Sequence, residues 1–308
     1  MNQTHTDSII GINWGSSNFR AYLIGADGQT QDVLELPAGV TQLQRDGMTG
    51  IGNQVRQRWP HASHAYAAGM IGSNVGWTDA GYLDCPADLD AVAGALVATR
   101  IGDLAVDIVP GLACVRDADG APDIMRGEET ELFGLLCAGQ LDDASVVALP
   151  GTHTKWVQLQ DGRVHAFMTS MSGELFDRLS SGGLLASVVD GPGEAGPAFI
   201  EGVHAAATRS LGLGALLFGV RARMIRGTLA RADTSSYLRG LLAGSEIADA
   251  LALFPALRTT TLPLVGSAPV CRLYQAASEA LGIAARPVAS ADAIVRGFSA
   301  LHAVRHQA

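Results

Sequence analysis

Lysine is almost missing from this chain. All but one of its 21 basic residues are arginine, the exception being Lys155, and 30 acids outnumber them to leave a formal charge of −9. No basic run is present to follow a phosphate backbone, which argues against a nucleic-acid partner. Long apolar runs are also scarce. The most apolar stretch, Leu211 to Val220, is about half of the roughly 20 residues that a membrane span needs. Met1 to Asp7 is polar without a secretory apolar segment, so the expectation is a cytoplasmic protein with no membrane partner. The four cysteines, Cys85, Cys114, Cys137 and Cys271, are scattered without a Cys-x-x-Cys pair. A disulfide framework and a structural zinc site are therefore not expected.

What the chain has in quantity is apolar residues, 48%, and 37 glycines in 308 residues. That is enough for two domains with real cores and for many turns or close backbone approaches. Strand and helix patterns alternate, the signature of an α/β protein. Ser8 to Trp14 reads as a strand, Gly15-Ser16-Ser17-Asn18 as a turn, Phe19 to Ile24 as a second strand, and Asp27-Gly28 as a hairpin turn into Thr30 to Leu36. The arrangement returns 136 residues later: Ser145 to Leu149, the turn Gly151-Thr152-His153-Thr154, Lys155 to Leu159, Asp161-Gly162, then Val164 to Met168. This reads as a duplicated domain core. Helices are expected over Gly127 to Cys137, Ser172 to Ser180, Pro197 to Leu211, Ala215 to Ala230, Ser236 to Ala252, Val270 to Leu281 and Ala291 to Arg305. The part before residue 117 reads as strands and loops, and the polar segment Asp117 to Asp123 suggests a boundary, giving units of 1–125 and 126–308.

Backbone N–H groups in a tight turn, flanked by hydroxyls, form a concave donor surface for phosphate oxygens. Two such turns on facing halves could hold the β- and γ-phosphates of one nucleotide. Neither is a P-loop, and Gly212-Leu213-Gly214 lacks the third glycine and preceding strand of a dinucleotide fingerprint.

The run Ile12 to Tyr22 resembles the first phosphate motif of the sugar-kinase and actin-like ATPase superfamily. More narrowly, Gly69 to Trp77, Pro122 to Thr130, Leu149 to Val157 and Met171 to Phe176, in this order, resemble the 2-dehydro-3-deoxygalactonokinases. The resemblance runs from about residue 9 to about residue 300. It implies two ribonuclease H-like domains closing on a cleft, with the last helix packing back on the first domain. It also implies ATP-dependent phosphorylation of the 6-hydroxyl of 2-dehydro-3-deoxy-D-galactonate in D-galactonate catabolism, with Mg2+. ATP and a small sugar acid are the expected partners, and a homodimer is compatible with the sequence.

On that basis Gly15, Ser16, Ser17 and Asn18, with Gly151, Thr152 and His153, form the expected phosphate cradle, and Gly266 and Ser267 lie against adenine or ribose. Arg20 and Lys155 either bring positive charge to the phosphates or are strand-edge charges. Glu128 is the expected base for the sugar hydroxyl, with Glu129 the runner-up; acids in a first helical turn also simply suit the dipole. The substrate's carboxylate points to Arg126 and to the loop of Gly69, Met70, Gly72, Ser73 and Asn74, while Trp77 either stacks on substrate or packs. The superfamily's opening Asp is Asn13 here, an amide that can hold Mg2+ only through water and adds no charge. Two alternatives follow: a catalytically weak sugar-acid or nucleotide sensor on the same fold, and a kinase for another 2-keto-3-deoxy sugar acid such as the gluconate epimer.

Overall fold

The computed structural model describes residues 8–142, 144–208 and 211–306. In the first half, the strands are β1 Ile9–Trp14, β2 Phe19–Ile24, β3 Thr30–Leu36, β4 His64–Ala68, β5 Tyr82–Asp84, β6 Val97–Ile101, β7 Leu104–Ile108, β8 Gly111–Val115 and β9 Pro122–Met125, with helices α1 Arg45–Arg58 and α2 Leu89–Gly94. The second half has β10 Val146–Leu149, β11 Thr154–Gln160, β12 Arg163–Ser170, β13 Leu262–Val265 and β14 Ala285–Val288. Its helices are α3 Glu128–Cys137, α4 Ser172–Ser181, α5 Gly183–Ala186, α6 Pro197–Ala207, α7 Leu213–Ile225, α8 Thr234–Leu253, α9 Ala268–Ala280 and α10 Ala293–His306.

The duplication read from the two turns is present in the sheets. One sheet runs β3-β2-β1-β4-β7-β6 and the other β12-β11-β10-β13-β14. In each, an antiparallel meander of three strands is extended by two parallel strands added beside its first strand, and β6 closes the first sheet antiparallel to β7. Even the register irregularity repeats, between Leu23 and Ile24 in one meander and between Gln158 and Leu159 in the other. In each pair of parallel neighbours, β1 with β4 and β10 with β13, the carboxyl ends finish together and carry the turns, the usual position for a ligand in such sheets.

The helical half is close to expectation, whereas α1 stands in the part whose sequence reads as strands and loops. Gly47, Gly50 and Gly52 lower its helix propensity, while Met48, Ile51 and Val55 at helical spacing bury one face against the sheet. Tertiary burial therefore overrides propensity. The segment 116–121 is the turn of a hairpin between β8 and β9, which form a small sheet with β5.

Glycine serves helix contacts as well as turns. At the crossing of α3 and α10, a Cβ on Gly134 would strike the Ala293 carbonyl and one on Gly297 the Thr130 carbonyl. This crossing holds α10 against α3 and beneath β1. We predict that Gly134→Ala costs about 1–3 kcal/mol by overpacking. Gly219→Ala, in α7 where a Cβ meets nothing within 4 Å, should be neutral or stabilising by up to about 1 kcal/mol. Urea denaturation of both variants checks the contrast.

Candidate functional site

The first turn follows β1, and its backbone is closed by the Gly15 N–H donating to the Asn18 carbonyl at 3.0 Å. A cavity of about 680 Å³ opens over it, lined by Asn13, Gly15, Ser16, Ser17, Asn18, Arg20 and Thr152. The second turn follows β10, and a second cavity of about 440 Å³ opens over Gly151 and Thr152. Thr152 lines both. The two turns thus face one another across a shared residue, and a Cβ on Gly151 would meet no atom within 4 Å, leaving room for a large anion.

The smaller cavity continues between helices. The amino ends of α4, at Ser172 and Gly173, and of α9, at Ser267, both reach its wall, and the positive end of a helix favours a negatively charged ligand. Its apolar side is built from Phe176, Phe199, Leu242, Val270 and Leu273. Arg239 also lines it, stacked 3.6 Å over the Phe176 ring and hydrogen-bonded to the Pro192 carbonyl. Below lies a buried polar network in which the Tyr274 hydroxyl is 3.0 Å from both Thr154 Oγ1 and Ser172 Oγ. Glu246, whose carboxyl burial pushes above its ordinary range, accepts the Trp156 indole N–H at 3.1 Å.

A third backbone segment closes on the first turn. Gly69, at φ +93°, sits so close to β1 that a Cβ would lie 2.8 Å from the Trp14 carbonyl and 3.6 Å from Asn13 Oδ1. A Cβ on Gly127, at φ +107°, would lie 3.2 Å from the Gly69 Cα. These contacts put the start of α3 beside Asn13. Glu128 is half-buried there, its Oε2 accepting the Arg126 N–H at 3.1 Å. Glu129 is fully buried and accepts the Gly127 N–H at 2.6 Å. Burial first, and then the Glu128 charge, push its carboxyl up to about 8. Of the two acids, only Glu128 has a surface that a substrate could reach.

Several sequence-predicted residues are placed differently. Lys155 lines neither cavity; its buried ammonium donates to the Ile124 carbonyl at 3.2 Å and to Thr169 Oγ1 at 2.8 Å. The alternation of β11 turns this side chain toward β9, so it fastens the strand leading into Gly127 and Glu128 instead of meeting phosphates. His153 also lines neither cavity, its Nε2 being 2.7 Å from Glu174 Oε2. Arg126 lies beneath the Gly69 loop with its side chain 4% exposed. It donates to the Gly81 carbonyl at 2.8 Å and stacks on Tyr82, while Nε and Nη1 are buried without a hydrogen-bond partner among the described residues. Trp77 packs, with the Arg45 guanidinium 3.9 Å over its ring. Met70 and Gly72 lie in a single 3-10 turn, and Ser73 Oγ donates to the Met70 carbonyl at 2.8 Å; these residues and Asn74 line neither cavity. Arg20 does line the larger one, paired with Glu35 at 2.8 Å. Gly266 brings β13 against the Pro150 carbonyl, 3.1 Å from where its Cβ would lie. Sequence reasoning missed Arg239, Phe176 and Leu242, whose helical spacing reads as core.

Duplicated sheets whose turns face each other over two cavities that share Thr152 define a sugar-kinase or actin-like ATPase fold. The family profile of 2-keto-3-deoxy-galactonokinase matches residues 13–301, and the chain belongs to that family. It is 37% identical over 295 residues to a probable 2-dehydro-3-deoxygalactonokinase of Rhizobium meliloti (strain 1021), covering 94% of each chain. It is 36% identical over 304 residues to the 2-dehydro-3-deoxygalactonokinase of Escherichia coli (strain K12), covering 97% of this chain and 99% of that one. A crystal structure from Sinorhizobium meliloti, described as a candidate 2-dehydro-3-deoxygalactonokinase protein, superposes with a TM-score of 0.86 at 36% identity, covering 96% of this chain and 98% of that one. The activator of 2-hydroxyisocaproyl-CoA dehydratase from Clostridium difficile, at 9% identity and a TM-score of 0.50 over 96% of this chain and 94% of that one, shares the fold alone.

Two predictions come from the buried groups. Because the folded-state pKa of Glu129, about 8, lies above the ordinary carboxyl value of 4.5, the folded protein holds an extra proton between these values. Stability should therefore fall as pH rises through that window. Glu131, pushed up to about 7, acts in the same sense, so the informative quantity is a difference. The pH slope of urea stability should flatten in Glu129→Gln relative to wild type by up to about 1.4 kcal/mol per pH unit. For the lysine, Lys155→Met should cost about 1–3 kcal/mol of stability by removing the donor to the Ile124 carbonyl and to Thr169 Oγ1, whose own bond to Asp123 remains. Its KM for ATP should be unchanged, and a raised KM with unaltered stability would return Lys155 to the phosphates.

Proposed function

We propose that this chain is an ATP-dependent kinase. It transfers a phosphoryl group to the 6-hydroxyl of 2-dehydro-3-deoxy-D-galactonate, giving 2-dehydro-3-deoxy-6-phospho-D-galactonate and ADP, a step of D-galactonate catabolism. The observation that carries this reading is Thr152, shared by the two cavities, since a nucleotide seated in the smaller would reach the turn of the larger with its phosphates. Family membership supports the substrate.

The residues present fit ATP and Mg2+. ATP would lie with its base and ribose among Ser267, Val270, Leu273 and Phe176, and with its phosphates between Gly15 to Asn18 and Gly151 to Thr152, the open space at Gly151 accommodating them. Mg2+ would be held through water by Asn13, supplying positive charge to the phosphate oxygens. The chain's own contribution is positioning and proton handling. Backbone N–H groups of the two turns and the amino ends of α4 and α9 stabilise negative charge without reorganising. Glu128, held at the first turn of α3 by the Arg126 N–H, takes the proton of the sugar hydroxyl. Glu129 is neutral at pH 7 and bonds Gly127, fixing the backbone that carries Glu128. The Gly69 loop, braced by Arg126, forms the sugar side. Two units, 1–125 and 126–308 with α10 returning to the first, close over the cleft and keep water from the reaction.

A second reading, a sensor that binds without turnover, is favoured by one observation: Asn13 stands at the cavity where a carboxylate would strengthen metal binding. A coupled ADP-release assay with MgATP and 2-dehydro-3-deoxy-D-galactonate, run beside its gluconate epimer, separates the readings. Turnover with the higher kcat/KM for the galactonate epimer is expected. Glu128→Gln should lower kcat by about 10²- to 10⁴-fold with the KM for ATP unchanged. Ligand binding without turnover, restored in Asn13→Asp, would make the wild-type chain a sensor.

A further inference from the structure

The functional site leaves unused a cluster of three histidines at the other end of the first sheet. His64 opens β4, while His302 and His306 stand one turn apart on α10 and therefore share a helix face. Gly69, at the cleft, follows the opposite end of β4, which places the cluster about 16 Å from it. A ring nitrogen of each histidine lies within 4.8 Å of the others. The ring centroids are 5.0 Å apart for His64 and His302, 4.4 Å for His64 and His306, and 4.4 Å for His302 and His306, with the planes inclined at 52–56°.

We propose that His64, His302 and His306 form a binding site for a divalent transition metal of the Zn2+ class, which clamps the last helix to the first sheet. Three observations converge on it. His64 Nδ1 is buried and has no hydrogen-bond partner among the described residues, a cost that a coordinate bond would remove. The Tyr66 hydroxyl is 2.8 Å from His302 Nδ1; with Nδ1 donating to that oxygen, Nε2 keeps its lone pair, the outer-shell arrangement usual for a ligating histidine. The rings are inclined and close instead of stacked flat, and tetrahedral ligation at about 2.0 Å would bring their nitrogens to about 3.3 Å apart, a small adjustment of side chains.

The donor set chooses the metal. Three imidazoles suit Zn2+, Cu2+ or Ni2+ and do not suit Mg2+, which takes oxygen ligands. Asp107 and Arg305 stand beside the cluster and pair with each other at 3.5 Å, and Arg56, Arg100 and Asp103 line the pocket that His64 also lines. Water would complete the coordination, and no reaction is assigned to the ion.

Isothermal titration of the whole, tag-free and metal-stripped chain with Zn2+ alone tests this, with Mg2+ as comparison. One Zn2+ per chain is expected, with an increase in Tm, while Mg2+ gives no signal at this site. His306→Ala changes an exposed residue and should fold normally while weakening Zn2+ binding at least about 100-fold. Tyr66→Phe should weaken it about 10-fold. Loading with Co2+ should give visible ligand-field bands that His306→Ala and His302→Ala lack. Absence of Zn2+ binding in the wild type, or one-site binding of equal affinity in His306→Ala and His302→Ala, overturns the proposal.

Discussion

Three backbones meet where side chains would not fit, and the rest of the site is arranged around that meeting. Gly69 lies against the carbonyl of Trp14, and Gly127 lies against Gly69. Both glycines have φ near +100°, a conformation that other residues adopt only with strain. The end of β1, the loop after β4 and the start of α3 are therefore held within one side chain's width of each other. Hydrogen bonds reinforce the junction from within: the Arg126 and Gly127 N–H groups are taken by the two glutamates that follow them. Backbone packing and these short bonds set the position of Glu128, with Lys155 fastening the strand that leads into it, the rigid placement that its proposed role requires.

Charge is distributed around the junction with restraint. Glu129 and Glu246 are wholly buried acids whose environments favour the neutral form, and the ammonium of Lys155 is confined by a carbonyl and a hydroxyl. Arg20 is paired with Glu35. The field at the two turns then comes from backbone dipoles, the helix amino ends and Arg239 on the wall of the smaller cavity, of which the first two need no side-chain entropy to be spent on binding. Glycine-rich helix crossings have the same logic on a larger scale. Phe199, Val203 and Tyr237 present carbonyls to Gly240, Gly244 and Gly202 where α6 meets α8, and these helices in turn carry Phe199, Arg239 and Leu242 to the smaller cavity.

How much of this could be read in the residues depended on whether the signal was local. The meanders, both turns and the acidic start of α3 are written in contiguous segments, and the structure has them within a residue or two. The helix α1 is hidden in the sequence because three glycines mask a buried face that only the sheet makes worthwhile. For Lys155 the sequence leaves phosphate contact and a strand-edge charge both open, for a different reason. Proximity to a turn in sequence says nothing about which face of β11 a side chain takes, and one residue of alternation separates a cavity wall from the β9 side. The nucleotide-sized cavity was half legible: Gly151, Thr152 and Ser267 belong to motifs, but Phe176, Arg239 and Leu242 come from helices whose periodicity looks like ordinary core.

Asn13 gathers these strands into one argument. It occupies the position where β1 ends, opposite Arg20 across the antiparallel pair and beside Ala68 across the parallel one, so an aspartate would have the same backbone and nearly the same shape. Only the charge differs. The carboxylates near this turn are Glu35, already paired with Arg20, and Glu128, on the far side of Gly69. On the proposed reading, an amide at 13 leaves Glu128 as the principal anion beside the reacting groups. That lowers the repulsion met by an anionic sugar acid while weakening the hold on the metal. The same substitution would then shift affinity from metal to substrate, and the balance between KM for the sugar acid and the Mg2+ requirement is the quantity in which Asn13 and aspartate at this position must differ.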